Sequence, residues 1–117
     1  MDKATAEGFP HKIRIVRSAD YRALYREGKK AYSRNFILFG RENGLHHPRL
    51  GMTVSRKVGG AVIRNRIKRI FREIFRKSFA EIHNRQDIVI NAKSGCAAAS
   101  YRELRAEFLE AVRKLGK

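Results

Sequence analysis

The sequence predicts a single α+β domain, a mixed α/β sandwich of helices on a small sheet, with elements in the order α-β-β-β-α-β-α. Three observations lead there. The chain has 117 residues, enough for one core and too few for two domains. Its 43% hydrophobic content, with seven Phe and four Tyr, belongs to a folded chain even though 32% of residues are charged. Segments of helical periodicity alternate with short aromatic and branched runs, the pattern of helices laid on strands.

Residues 1–12 carry no periodicity and read as a flexible N-terminal arm, which leaves 13–117 as one domain. Ser18 offers a helix cap and Asp20 a favourable first-turn charge. Tyr21, Leu24 and Tyr25 follow at helical spacing and Gly28 is a natural stop, so 19–27 is a short helix. The run Phe36-Ile37-Leu38-Phe39 marks a strand within 31–40, and Gly44 and Pro48 place a loop over 41–48. Leu50, Met52 and Val54 alternate with Gly51, Thr53 and Ser55, a half-buried strand. Gly59-Gly60 precede a long helix from about residue 61 to His83. Ile88-Val89-Ile90 form a short buried strand within 87–92. Ser100 and Glu103 have the spacing of a capping box. Leu104, Phe108, Ala111, Val112 and Leu115 then stripe a last helix that ends at Gly116.

Charge narrows the function. The 27 Lys+Arg against 11 Asp+Glu give a formal net charge of +16. Self-repulsion of that size opposes a compact state, so a polyanionic partner is the economical explanation. No apolar run approaches the ~20 residues of a membrane span, and no basic start followed by an apolar stretch marks a signal peptide. One cysteine, Cys96, excludes an internal disulfide framework and suits a reducing cytoplasm. His46-His47 beside Pro48 reads as a solvated turn rather than a metal site, because spaced cysteine partners are missing. The acids are scattered and no histidine has an orienting pair, so no protein catalytic site, bound metal or small-molecule substrate is expected.

The most informative segment is 62–77. Ile63, Ile67, Ile70, Phe71, Ile74, Phe75 and Ser78 fall on one side of a helix. Seven basic residues occupy the rest of 64–77, with Glu73 the one acid among them. A solvated face usually mixes both signs. Asn65 is a mediocre helix former set within the cationic arc. It is suited either to hydrogen-bond a base edge, ribose or phosphate or to cap the chain locally. Arg56 and Lys57 add cations at the strand-to-helix junction, where a helix N-terminus favours phosphate. Tyr21, Tyr25 and Phe39 supply aromatic faces that fit either the core or the stacking of unpaired bases. Tyrosine at both helix positions points to a face that touches water.

The run Lys57-Val58-Gly59-Gly60-Ala61-Val62-Ile63-Arg64-Asn65-Arg66-Ile67-Lys68-Arg69 resembles the signature of the protein subunit of bacterial ribonuclease P. The likeness continues through Arg72-Glu73 and Phe75-Arg76. Arg14-Ile15, Asp20-Tyr21, Tyr25 and Gly28 look like that family's first helix region. Arg34 to Phe39, Arg49-Leu50-Gly51, Val54-Ser55 and Asp87-Ile88-Val89 look like its strands. The resemblance spans roughly residues 13 to 112 and implies a left-handed β-α-β crossover. It also implies an accessory protein of a ribozyme, whose RNA subunit uses Mg²⁺ to remove the 5′ leader of precursor tRNA. By position, Arg56, Lys57, Arg64, Asn65, Arg66, Lys68, Arg69 and Arg72 would contact the catalytic RNA. Tyr21, Tyr25, Ile37, Phe39 and Thr53 would line the leader cleft. The family usually has phenylalanine where Tyr21 stands and often tyrosine where Phe39 stands, so the hydroxyls are displaced here. A general or ribosomal RNA-binding protein without a processing role shares every compositional feature and stays open as the alternative.

Overall fold

The computed structural model describes residues 13–82 and 85–116. The expected N-terminal arm and the helix end at His83 lie outside the described residues. The elements are α1 (Ser18–Glu27), β1 (Lys29–Tyr32), β2 (Phe36–Glu42), β3 (Arg49–Thr53), α2 (Ala61–Ser78), β4 (Gln86–Ala92) and α3 (Tyr101–Leu115), with 3-10 turns at Phe79–Glu81 and Ser94–Ala97. The strands form one sheet in the order β1-β2-β4-β3. β2 is antiparallel to β1 and β4, whereas β3 and β4 run parallel and are joined through α2.

The strand expected within 31–40 is β2, and β1 pairs with it as a hairpin. Ser33-Arg34-Asn35 interrupts the apolar run, and the Ser33 amide donates to the Phe36 carbonyl at 2.9 Å. The lysine-rich edge strand β1 has only Ala31 buried, and charged residues of this kind discourage edge-to-edge pairing. Ser18 does not cap α1. It is the first helical residue, Arg17 occupies the cap position, and the start makes no side-chain cap bond. Asp20 instead reaches Arg49 at 3.5 Å. Gly28 ends α1 in extended backbone rather than the left-handed region. It is required by space, since a Cβ would lie 2.6 Å from the Leu24 carbonyl oxygen and 3.1 Å from that of Gly40. The long helix stops at Ser78, where the 3-10 turn lets Ile82 drop into the core. At α3 the expected box forms: the Glu103 amide donates to Ser100 Oγ at 3.1 Å, and the Ser100 amide to Glu103 Oε1 at 2.8 Å.

Strand alternation sorts the side chains onto two faces. Phe36, Leu38, Leu50, Ile88 and Ile90 join Ile67, Phe71, Ile74 and Phe75 of α2 and Leu104 and Phe108 of α3 in the main core. Phe39, Val89 and Ile37 on the opposite face pack with Leu24, Tyr21 and Tyr25 of α1 and with Ile15. Arg49 ties β3 to β4 through a forked pair with Asp87, at 2.8 and 2.6 Å. That contact, the largest influence on it, raises the Arg49 guanidinium above its usual value. Asn43 closes the same corner by donating to Asp87 Oδ1 at 3.0 Å and to the His47 carbonyl at 3.1 Å. The His46-His47 segment is therefore part of a bonded turn.

Candidate nucleic-acid interface

α2 starts bare. Gly60 stands at its cap without a side-chain bond, no acid lies in its first turn, and Val62 beside it is 83% exposed. Such an end attracts anions. Gly59 permits the approach to α2, because a Cβ there would sit 2.9 Å from Ile63, while nothing lies within 4 Å of one at Gly60. Ile63, placed by its spacing on the apolar side, is 37% exposed at this first turn and lies against Gly59. Arg56 and Lys57 are exposed in the turn just before.

The cations of α2 divide along its length. Near the C-terminal end, Arg76 and Lys77 pair with Glu73 at 2.6 and 3.3 Å. The Arg76 bond is the main cause holding the Glu73 carboxyl below its ordinary value. Near the N-terminal end, Arg64 Nε donates to the Gly59 carbonyl at 3.1 Å and steadies the turn. Arg66 Nη2 donates to the Ala97 carbonyl at 2.6 Å, which clamps the 3-10 turn at Ser94–Ala97. Each guanidinium keeps further donors. Asn65 is exposed on the same stretch.

Lys68 and Arg72 face a cleft of 210 Å³ whose other wall is Arg14, Tyr21 and the backbone of β3 around Gly51. Burial, followed by repulsion from Arg14 and Arg69, lowers the Arg72 pKa from its usual value. Arg14 was not among the residues expected from sequence to bind. The alternation Ile13-Arg14-Ile15-Val16, with the two isoleucines buried and the other two exposed, was the available signal. The segment bridges onto β3, where the Ile15 amide donates to the Leu50 carbonyl at 2.9 Å.

The five residues expected to line the leader cleft come together on the α1 face, though not all equally open. Tyr25 donates to Thr53 Oγ1 at 2.5 Å and meets the Phe39 ring edge-on, centroids 4.7 Å apart. Phe39 lies beneath it at 6% exposure. Lys30 stands over the Phe39 ring at 5.7 Å. The Tyr21 hydroxyl turns inward, donating to the Ile15 carbonyl and accepting from the Met52 amide, both at 3.3 Å. Gly51 makes this possible, as a Cβ there would lie 2.7 Å from that hydroxyl. Both tyrosine hydroxyls are engaged by the protein, while their rings stay half-buried on a face that touches water, as the tyrosines at these positions led one to expect. Ile37 and Thr53 remain half-buried.

Cys96 is buried, gives its Sγ–H to the Asn35 carbonyl at 3.1 Å, and is pushed by burial up to about 11. Among the described residues, no group of three His, Cys, Asp or Glu gathers as a candidate metal site. No helix among them is long and apolar enough to cross a membrane.

The Ribonuclease P family model matches residues 9–116. The ribonuclease P protein component of Syntrophus aciditrophicus is 43% identical over 91 residues, covering 78% of this chain and 76% of its own. That of Desulfovibrio desulfuricans is 39% identical over 113 residues, covering 92% and 86%. Among solved structures, the RNase P protein of Thermotoga maritima superposes with a TM-score of 0.80 at 30% identity, over 86% of this chain and 96% of that one. The Staphylococcus aureus protein does so at 0.78 and 30%, over 86% and 93%. The bare, cationic start of α2 and the latched aromatic face beside it are therefore features of a chain that belongs to the ribonuclease P protein family.

Proposed function

We propose that this chain, as the protein component of ribonuclease P, holds two RNAs at once: the catalytic RNA subunit and the single-stranded 5′ leader of precursor tRNA. The endonucleolytic step of ribonuclease P belongs to its RNA subunit, and in this reading the Mg²⁺ is used there too. The observation that carries the reading is the cleft where Lys68 and Arg72 of α2 meet Arg14 and Tyr21. One set of cations borders both the outer face of α2 and the aromatic face of the sheet. Arg56, Lys57, Arg64, Asn65 and Arg69 extend the first surface toward the catalytic RNA. Tyr25, Ile37, Phe39 and Thr53 extend the second toward the leader. Fixed cations screen phosphate repulsion between the two RNAs, which raises substrate affinity and reduces the Mg²⁺ the ribozyme needs. A cytoplasmic setting fits the buried free thiol.

The test is equilibrium binding by the complex reconstituted with its cognate RNA subunit. Precursor tRNA is expected to bind more tightly than mature tRNA, and low-Mg²⁺ cleavage is expected to rise when the protein is added. Lys68→Ala and Arg69→Ala should each lessen the log K against log salt slope by about one, while Arg76→Ala, whose charge already pairs with Glu73, should change it less. Equal affinities for leader-bearing and leaderless tRNA would return the chain to a general RNA-binding role.

A further inference from the structure

Across the end of the sheet nearest Thr53 runs a row that spans all four strands. Tyr32 of β1 opposes Ile37 of β2, Ile37 opposes Asn91 of β4, and Asn91 stands level with Thr53 of β3. Residues paired in register share a face. Here it is the α1 face, since Ile37 packs with Tyr21 and Tyr25 and Thr53 accepts from the Tyr25 hydroxyl. The neighbouring row, Phe39 and Val89, is buried under α1. This row is not: Ile37, Asn91 and Thr53 are half-buried and Tyr32 is 60% exposed.

Asn91 is out of place on secondary-structure grounds, because asparagine is depleted in strands and this is a central one. Its amide makes no side-chain hydrogen bond with the described residues. Asparagine carries two donors and an acceptor, the complement of a base edge. RNA read by sequence is read single-stranded, with bases splayed onto aromatic rings and bonded along their edges. Lys30, two residues before Tyr32 and over the Phe39 ring, brings a cation to the same rim.

We propose that Asn91 is a specificity-determining residue: its amide bonds the edge of one leader base while Tyr32 stacks an adjacent one. The inference rests on the leader reading above and adds a base preference to it. The experiment is competition among precursor tRNAs with randomised leaders for the complex reconstituted with its RNA subunit. The chains compared are wild type, Asn91→Val, Asn91→Ser and Tyr32→Ala, each with a melting curve to check the fold. The wild type is expected to rank the four bases over about tenfold at one leader position, as a good amide-to-base pair allows. Both Asn91 variants should flatten that position to within about twofold and still prefer leader-bearing over leaderless tRNA. Tyr32→Ala should weaken all leaders several-fold without reordering them, the effect of a lost stack. An unchanged base profile in the Asn91 variants overturns the proposal and leaves the leader reading standing, as does a wild type that binds the leader with no base preference. So does loss of all leader discrimination in both Asn91 variants, which would make Asn91 a scaffold residue. A wild type that ignores the leader overturns both.

Discussion

The two faces of the sheet are built from different aromatics. Against α2 and α3 lie Phe36, Phe71, Phe75 and Phe108, all fully buried, with Phe36 and Phe71 edge-to-face at 5.3 Å. Against α1 lie Tyr21 and Tyr25 over Phe39, each tyrosine bonded through its hydroxyl to a neighbouring segment. The first face excludes water and derives its stability from area and packing. The second buries only a small cluster around Leu24, Phe39 and Val89, adds a few directional bonds and stays half-open at its rim. A half-open surface cannot be close-packed throughout, so geometry at its rim has to be maintained by hydrogen bonds. Substitutions on the two faces should therefore differ in kind: large losses of stability on one, small losses with altered binding on the other.

The largest expected effect is on the closed face. Phe71→Ala removes a ring with no exposed surface from the junction of α2 and β2. It should cost about 3–5 kcal/mol in denaturant unfolding, a large share of the ~5–15 kcal/mol typical of a whole domain. A loss under about 1 kcal/mol would mean that the α2 face is not the main core.

On the open face, Tyr21→Phe deletes a hydroxyl that serves both the Ile15 carbonyl and the Met52 amide. Both bonds are long and solvent is close, so about 1 kcal/mol is expected. The informative readout is local. Amide exchange at Ile15, whose N–H bonds the Leu50 carbonyl, should quicken more than exchange at Val89 in the sheet centre. Uniform quickening would show that Tyr21 supports the whole fold rather than the strap carrying Arg14.

The two faces were not equally legible in the sequence. Alternation and helical period are properties of apolar residues, so the main core and the capping box at Ser100 could be read directly. Hydroxyl and guanidinium contacts depend on distant backbone. No local pattern announces that Arg66 reaches Ala97 or that the inward turn of Tyr21 needs Gly51. Ser33-Arg34-Asn35 stand out as three polar residues, but only the apolar run after them carries a strand signal, so β1 before them could not be placed. Asn91 became noticeable only once the register set it between Ile37 and Thr53.

The smallest effect is the most specific. Tyr25→Phe removes the bond to Thr53 and should cost about 0.5–1 kcal/mol at neutral pH. Burial is the largest influence on this hydroxyl and raises its pKa above 10.0, with the Thr53 bond partly offsetting it. A raised value means that the fold favours the neutral phenol. That contribution is whole below pH 10 and is lost as pH climbs from there through the raised pKa. The stability difference between wild type and Tyr25→Phe should accordingly stay level through neutral pH and shrink above pH 10, since the other ionising groups are common to both chains. Urea unfolding of the pair across that range decides it. Curves that remain parallel above pH 10 would show that Tyr25 ionises no harder in the fold than out of it, and that the α1 face is wetter than its geometry indicates.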